Sequence, residues 1–204
     1  MNIGYRRVFL VLLLAYPVAS HTAMYFHCPA LALAALFAVA LAAALSLLPG
    51  HRLWVLLAGL LGGILLWRLP AASALIYLPP LLLNTGLGLL FGRTLVGGRV
   101  PLITRFAEEV MGDRHPERRG YTRGVTLAWT LAFAAMALES LLLALFASAE
   151  TWSLFTNVLN YLFIAALFLG EFIVRLVRFR EPFSPFLFFR RLARVNWRAL
   201  ASDE

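Results

Sequence analysis

The sequence predicts an all-α, polytopic integral membrane protein with about six transmembrane helices and with both termini in the cytoplasm. One reason is composition: 62% of the 204 residues are hydrophobic and 14% are charged, which leaves too little polar surface to cover a soluble domain. The other is charge placement. When six apolar stretches are threaded through a bilayer, only Arg68 of the 18 basic residues falls on the outer side. Basic loops stay cytoplasmic during insertion, so this asymmetry predicts the orientation.

The apolar stretches cover residues 8–26, 29–48, 53–69, 71–92, 124–147 and 152–174, most of them close to the ~20 residues that span a bilayer. The first stretch follows Arg6 and Arg7 and passes a small-residue site at Ser20 that resembles a signal-peptide cleavage site. Hydrophobicity resumes through Phe26 and a second span follows at once, which favours an uncleaved anchor. In the third stretch Gly59, Gly62 and Gly63 favour close helix packing.

The fourth stretch contains Pro79 and Pro80 in its middle. Proline removes backbone donors, so carbonyls near Leu75 and Ile76 are expected to lose their partners. Asn84 follows one turn later. Such a break builds either a ligand site, with Pro17 as its counterpart in an inverted repeat, or a packing kink filled by neighbouring side chains.

The arginine-rich loop at 93–123 is predicted to be cytoplasmic. Pro101 and Gly112 bracket a short helix, whose apolar face is predicted to lie on the membrane and to consist of Leu102, Ile103, Phe106 and Val110. The polar tip around His115 indicates either a solvated turn or a cluster of side chains for acid–base chemistry or metal binding. The candidate residues for binding lipid or a partner are Arg105, Arg118, Arg119 and Arg123.

The cytoplasmic tail at 175–204 predicts an amphipathic interfacial helix that starts near Ser184 and Pro185. One arc of this helix carries Arg190, Arg191, Arg194 and Arg198, and the opposite side is apolar and aromatic. These arginines are expected to contact anionic lipid headgroups or a docked protein partner.

The fifth and sixth stretches carry an intramembrane polar site. Glu139 and Asn160 lie at matching depths of ~12 Å from the outer side, and Asn157 shares a helical face with Asn160. Amide donors from the asparagines are therefore expected to reach the carboxyl, which has either a functional role or a packing role. Glu171 is expected to pair with Arg175 four residues on. His21 and Tyr25 either join an outer polar pocket or anchor the interface.

Several classes of function are disfavoured. Every basic residue is arginine and none is lysine, but the arginines flank membrane spans without any binding module, so nucleic acid is not an expected partner. The single Cys28 allows no internal disulfide and makes a poor metal site beside His27. No catalytic motif is recognisable, and no cofactor or metal is expected.

Five segments resemble one family: PLLLNTGLGLLFGRTL (80–95), PLITRFAEEV (101–110), YTRGVTLAWTLAFAAMALESLLLALFA (121–147), WSLFTNVLNYLFIAALFLGEFIVR (152–175) and SPFLFFRRLAR (184–194). These segments resemble uncharacterised bacterial inner-membrane proteins encoded with the ketosynthases and acyl carrier proteins of aryl-polyene or xanthomonadin-type pigment clusters. The resemblance implies a multi-pass inner-membrane protein that helps to make or move a polyene lipid. Leu162 stands where the family tends to carry proline, which weakens the case for a kink in the sixth helix.

Two classes of function follow from these patterns. In the preferred one, the protein is a non-catalytic accessory protein whose inward arginines recruit an acidic acyl carrier protein and ketosynthases to the bilayer. In the alternative, it is a transporter, flippase or membrane-embedded transferase that handles a lipid product through Glu139, Asn157, Asn160 and Asn84.

Overall fold

The computed structural model describes residues 3–68, 70–110 and 115–179, and its regular structure over these ranges is helical, without a β-strand. The α-helices are α1 Ile3–Tyr25, α2 Pro29–Leu47, α3 Arg52–Arg68, α4 Leu78–Gly92, α5 Leu102–Val110, α6 Arg119–Phe146, α7 Ala149–Leu154 and α8 Asn160–Phe179. Short 3-10 segments occupy Pro49–His51, Pro70–Tyr77, Arg93–Leu95 and Pro116–Arg118, and a π-helical turn occupies Phe155–Leu159. The all-α prediction is confirmed.

Within the described ranges, four helical segments are long and apolar enough to cross a membrane: Arg7–Tyr25, Pro29–Leu47, Ala74–Leu95 and Pro116–Phe146. The third predicted stretch forms a shorter apolar helix at Arg52–Leu65. The sixth predicted stretch is helical from α7 through α8 but is not among these four. Large apolar side chains such as Leu14 and Phe146 lie on the surface, as expected of helices that face lipid rather than water.

Contacts divide the chain into two compact units. The described residues of the first unit lie within 3–81 and 139–162, and those of the second lie within 82–138 and 163–179. In the first unit the core joins Ala23 and Met24 of α1, Ala32 of α2 and Ile76 of the 3-10 segment, with Ala149 of α7 packed against it. This core therefore brings the end of α1, the start of α2 and the start of α7 to one place.

The turn between α1 and α2 is a Schellman motif. The backbone N–H of Cys28 donates to the Ala23 carbonyl at 2.8 Å and that of His27 donates to the Met24 carbonyl at 3.0 Å, which satisfies carbonyls that a helix end leaves unpaired. His27 adopts the left-handed conformation, with φ of 56°, that the motif requires. Pro29 then starts α2 with a φ suited to a first helical position.

Two of the three glycines in α3 pack against α2. A Cβ atom on Gly59 would lie 2.9 Å from Leu41 Cδ1, and one on Gly63 would lie 3.5 Å from the Phe37 ring. A Cβ atom on Gly62 would meet nothing within 4 Å. The predicted close approach is therefore confirmed for Gly59 and Gly63 and wrong for Gly62.

The break in the fourth apolar stretch takes a different form from the predicted one. The 3-10 segment ends at Tyr77, and Pro79 and Pro80 lie in the first turn of α4. Their missing donors cost little there, because the first N–H groups of a helix have no intrahelical partner. The proline pair therefore marks the point where 3-10 structure changes to α-helix.

The second unit has an aromatic core. Trp129, Phe133 and Met136 of α6 are buried, and Phe91 of α4 and Ile164 of α8 are among the apolar side chains packed against them.

Two glycines of α4, Gly88 and Gly92, allow α4 to pack closely against α6. A Cβ atom on Gly92 would lie 3.1 Å from Thr130 Cγ2, and one on Gly88 would lie 3.6 Å from Phe133 Cβ. This small-residue pair was not singled out in the sequence, although its four-residue spacing is typical of close helix contacts.

Candidate functional site

The first unit contains a polar interface between α1 and the helical run from α7 to α8. His21 Nδ1 lies 3.2 Å from Ser153 Oγ. The Asn157 amide donates to Ser153 Oγ at 3.1 Å and to Ser20 Oγ at 3.4 Å. Both serines are fully buried. Residues far apart in sequence thus satisfy one another's polar groups, as buried polar groups require.

A π-helical turn lies at the centre of this interface. The Asn160 N–H donates to the Phe155 carbonyl, five residues back, and the Thr156 hydroxyl donates to the Trp152 carbonyl at 2.8 Å. The buried face of this helical run comprises Trp152, Ser153, Thr156, Asn157 and Asn160. Single π-helical turns inside α-helices often occur at functional sites. No pattern in the sequence predicts this π-helical turn. The leucine at position 162 weakens the case for a kink in this part of the chain.

Trp152 connects the interface to the 3-10 segment. Its ring packs edge-on against Tyr77, with 4.6 Å between ring centroids, and its side chain is 1% exposed. The indole Nε1 has no hydrogen-bond partner among the described residues. A buried indole N–H normally finds an acceptor, so this atom is an unpaired donor inside the first unit.

The predicted hydrogen bonds from the asparagines to Glu139 are not formed. The Asn157 amide donates to the two serines instead, and Asn160 Nδ2 is buried with no partner among the described residues. Glu139 itself is partly buried, next to the buried Ser140. Equal depth along two helices was the basis of this prediction, but depth does not determine the direction in which a helical side chain points.

The remaining members of the predicted polar sites are placed differently. His21 joins the polar interface, whereas Tyr25 is 64% exposed. Asn84 is buried in the second unit. Arg190, Arg191, Arg194 and Arg198 lie outside the described residues, as do Gly112 and the start of the predicted tail helix.

A side-chain contact links the α1–α2 turn to the start of α7. His27 Nδ1 lies 2.9 Å from Glu150 Oε1. Ser148 is the N-cap of α7 and accepts a hydrogen bond from the Thr151 N–H at 3.2 Å. The Ser148 hydroxyl, the backbone N–H of Glu150 itself and the nearby His27 imidazole together lower the pKa of the Glu150 carboxyl.

This lowered pKa predicts an acid-sensitive contribution to stability. A carboxyl whose pKa is lower in the folded chain stabilises the fold above the unfolded pKa, and the contribution is lost as the pH falls through the folded pKa. We expect Glu150→Gln to lower the melting temperature in detergent slightly near neutral pH. The difference from the wild type should shrink as the pH falls below the ordinary glutamate pKa and disappear once the pH is below the lowered pKa of Glu150. When Ser148→Ala removes the capping hydroxyl, Glu150→Gln should change the melting temperature by less. Equal melting temperatures for wild type and Glu150→Gln at every pH would contradict the assignment.

In the second unit, threonine hydroxyls hold α5 on α6. The Leu102 N–H donates to Thr94 Oγ1 at 3.0 Å and the Ile103 N–H donates to Thr126 Oγ1 at 3.3 Å. The Thr104 and Thr122 hydroxyls lie 2.6 Å apart. These bonds cap the first turn of α5, whose preceding Pro101 has no side-chain oxygen to do so.

The side of α5 that packs inward differs from the predicted apolar face. Of the side chains described in this helix, Thr104 and Ala107 are buried, and Ile103 packs against the aromatic core. Leu102 and Phe106 are only partly buried, and the side chain of Val110 is outside the description. The apolar pattern missed the buried threonine because hydropathy counts a hydroxyl as polar even where it is fully hydrogen-bonded.

The loop arginines make specific contacts within the second unit. Arg119 donates to Glu108 Oε1 through Nε at 3.0 Å and through Nη2 at 2.9 Å. Arg123 Nη2 donates to the Leu95 carbonyl at 3.0 Å, and the Arg118 guanidinium lies 4.7 Å from the centre of the Phe179 ring. Arg105 is partly buried and also engaged. These contacts set the directions of the arginine side chains, and Arg119 and Arg123 stay exposed.

The predicted pair of Glu171 and Arg175 is confirmed. Arg175 Nε lies 3.0 Å and Nη2 lies 2.9 Å from Glu171 Oε1. The pair is partly buried, and the Arg175 guanidinium also lies 5.7 Å from the centre of the Tyr121 ring. Among the described residues, His, Cys, Asp and Glu side chains form no group of three that would hold a metal ion.

Comparison of the chain with protein-family models, with curated proteins and with solved structures gave no match. The resemblance to pigment-cluster membrane proteins therefore stays a prediction.

Proposed function

We propose that the chain crosses the bacterial inner membrane six times with both termini in the cytoplasm. The charge asymmetry of the sequence supports this topology. The core of the first unit supports it as well, since Ala23, Ala32, Ile76 and Ala149 all lie near the outer ends of the proposed spans and meet in one cluster. Such a meeting is expected when successive spans run in opposite directions.

We propose further that the cytoplasmic arginines recruit an acidic protein partner to the membrane. The observation that carries this proposal is the fixed position of α5, which hydroxyl groups from Thr94 and Thr126 cap at its first turn. An exposed basic loop held in one conformation loses little entropy when a partner docks. Arg119 and Arg123 stay solvent-accessible in the first turns of α6, the helix on which α5 is held.

The partner that fits this surface is an acidic carrier protein. Positively charged patches attract acidic partners and raise association rates, and an acyl carrier protein with its ketosynthases is the partner that the sequence resemblance implies. The tail arginines extend the basic character to the C-terminus. Anionic lipid headgroups would compete for the same guanidinium groups, because phosphate and carboxylate both accept bidentate hydrogen bonds from arginine.

Charge reversal of the tail tests the recruiting role. We expect purification of the tagged wild-type protein from its native host in mild detergent to retain an acidic carrier protein or ketosynthase, identified by mass spectrometry. The triple substitution Arg190→Glu, Arg191→Glu and Arg194→Glu should reduce that retention roughly tenfold or more, since each like-charge contact opposes docking. The matched charge-conserving control replaces the same three residues with lysine and should retain much of the partner.

Glu139→Gln distinguishes recruitment from lipid handling. It changes a partly buried carboxyl far from the tail in sequence, so partner retention should be unaffected. Retention that survives reversal of the tail arginines but is lost in Glu139→Gln would contradict recruitment. That result would favour transport or transfer of a lipid instead.

A further inference from the structure

An apolar groove between α2 and α3 has a volume of about 690 Å³. Its apolar lining side chains include Phe37 and Leu41 of α2 and Leu56, Leu60 and Ile64 of α3. Gly59 and Gly63 lie between these two walls, and a side chain at either position would enter the space beside α2. The three apolar side chains of α3 are exposed, so the groove opens at the surface of the first unit.

Arg68 is the charged member of this lining. It is the last residue of α3, and it is exposed. Arg68 follows Leu56 by 12 residues, which corresponds to a rise of ~18 Å along the helix. The acyl layer of one leaflet is ~15 Å thick, half of the ~30 Å hydrocarbon core. The groove therefore has the length of one acyl layer, with a cation at the end where headgroups would lie.

We propose that this groove binds one acyl chain of an anionic phospholipid, whose phosphate group contacts Arg68. A guanidinium group binds phosphate through paired, charge-assisted hydrogen bonds, and a groove of this size and apolar lining suits a hydrocarbon chain. Arg68 has no carboxylate partner among the described residues, so the phosphate supplies its counter-charge. In the proposed topology this lipid belongs to the outer leaflet.

A second copy of the chain fits the groove less well than a lipid does. It would have to bring a carboxylate to Arg68 at the outer ends of the proposed spans. The outer loops of that topology contain a single acidic residue, Glu150, and its Oε1 already lies 2.9 Å from His27 Nδ1. An anionic phospholipid carries both the anion and the apolar chain in one molecule.

Photo-crosslinking of the full chain in detergent micelles tests the proposal. The probes are phosphatidylglycerol and phosphatidylcholine that carry a photoactivatable group on one acyl chain, and mass spectrometry locates the label. We expect phosphatidylglycerol to label the segments of α2 and α3 that line the groove roughly fivefold more than phosphatidylcholine does, the effect of one arginine near an anionic headgroup. Arg68→Gln should abolish this preference, whereas Arg68→Lys, which keeps the charge, should retain much of it.

A matched pair of substitutions separates the groove from the lipid that surrounds the whole protein. Ile64→Trp fills the groove and should lower the labelling of α2 by phosphatidylglycerol severalfold. Leu61→Trp is the control, because Leu61 is exposed on the same helix but does not line the groove, and labelling should be unchanged. All these positions are exposed, so the variants are expected to fold.

Three results would each overturn the proposal: equal labelling of the groove by the two lipids in the wild type, an unchanged preference in Arg68→Gln, or equal losses in Ile64→Trp and Leu61→Trp. The inference does not rest on the recruiting role, since the groove belongs to the first unit and the loop arginines belong to the second. Labelling in micelles also does not depend on which side of a membrane Arg68 faces.

Discussion

Replacing Trp129 with alanine is expected to lower the free energy of unfolding by about 3 kcal/mol, the low end of the range for such changes in packed interiors. The Trp129 ring is 3% exposed and lies 4.6 Å from Phe168, 5.5 Å from Phe133 and 6.3 Å from Phe91, measured between ring centroids. It therefore joins α4, α6 and α8 within the second unit. The low end applies because lipid tails solvate an apolar side chain almost as well as the protein does, which leaves mainly packing and cavity terms.

The matched control for this substitution is Trp54→Ala. Trp54 is 70% exposed, so its removal should change the free energy of unfolding by no more than about 0.5 kcal/mol. Reversible unfolding in detergent measures both variants. Similar losses for the two tryptophans would contradict the assignment of Trp129 to the core of the second unit.

Replacing Thr126 with valine is expected to release α5 from α6 and to cost about 2 kcal/mol. Thr126 is fully buried. Its hydroxyl accepts from the Ile103 N–H at 3.3 Å and donates to the Thr122 carbonyl at 2.9 Å. Valine leaves the Ile103 N–H without its acceptor. Amide hydrogen exchange should therefore become faster across α5, since a helix end without a cap opens locally.

Two variants control for the loss of this cap. Thr130→Val removes a hydroxyl that donates to the Thr126 carbonyl within α6 at 2.8 Å, and it should leave exchange in α5 unchanged. Thr126→Ser retains the hydroxyl and should keep most of the protection. If α5 is equally protected in all three variants, the long-range cap has no role, and the fixed geometry of the basic loop loses its support.

The parts of the fold that follow from local sequence were predicted well. Hydropathy placed the second helix at 29–48, and it is observed at Pro29–Leu47. The pair of Glu171 and Arg175 was predicted because residues four apart share a helical face, and it forms. The predicted fifth span begins at 124, whereas α6 begins at Arg119. The difference arises because the first turns of α6 carry Arg119 and Arg123, which lower the hydropathy although the end of a helix tolerates charged residues.

The candidate site was less predictable because its partners are distant in sequence. Asn157 was expected to pair with Glu139, yet it bonds to Ser20, which lies 137 residues away along the chain. The cap of α5 by Thr126, 23 residues from Ile103, leaves no periodic pattern either. Helix packing decides such pairs, and packing is not encoded in the spacing of one helix. The residue types did single out Asn157 and Asn160, because amides within apolar helices need partners.

Thiol labelling of Cys28 tests the proposed topology, on which the cytoplasmic arginine surface depends, most directly. Cys28 is the single cysteine of the chain, and it is exposed between α1 and α2. The six-span topology predicts that a membrane-impermeant maleimide labels Cys28 in intact spheroplasts, whereas a cysteine placed at Ser202 in a Cys28→Ala background reacts only after permeabilisation. Labelling of Cys28 that requires permeabilisation, or labelling of the tail cysteine from outside, would contradict the account, because the arginines would then face away from the cytoplasm.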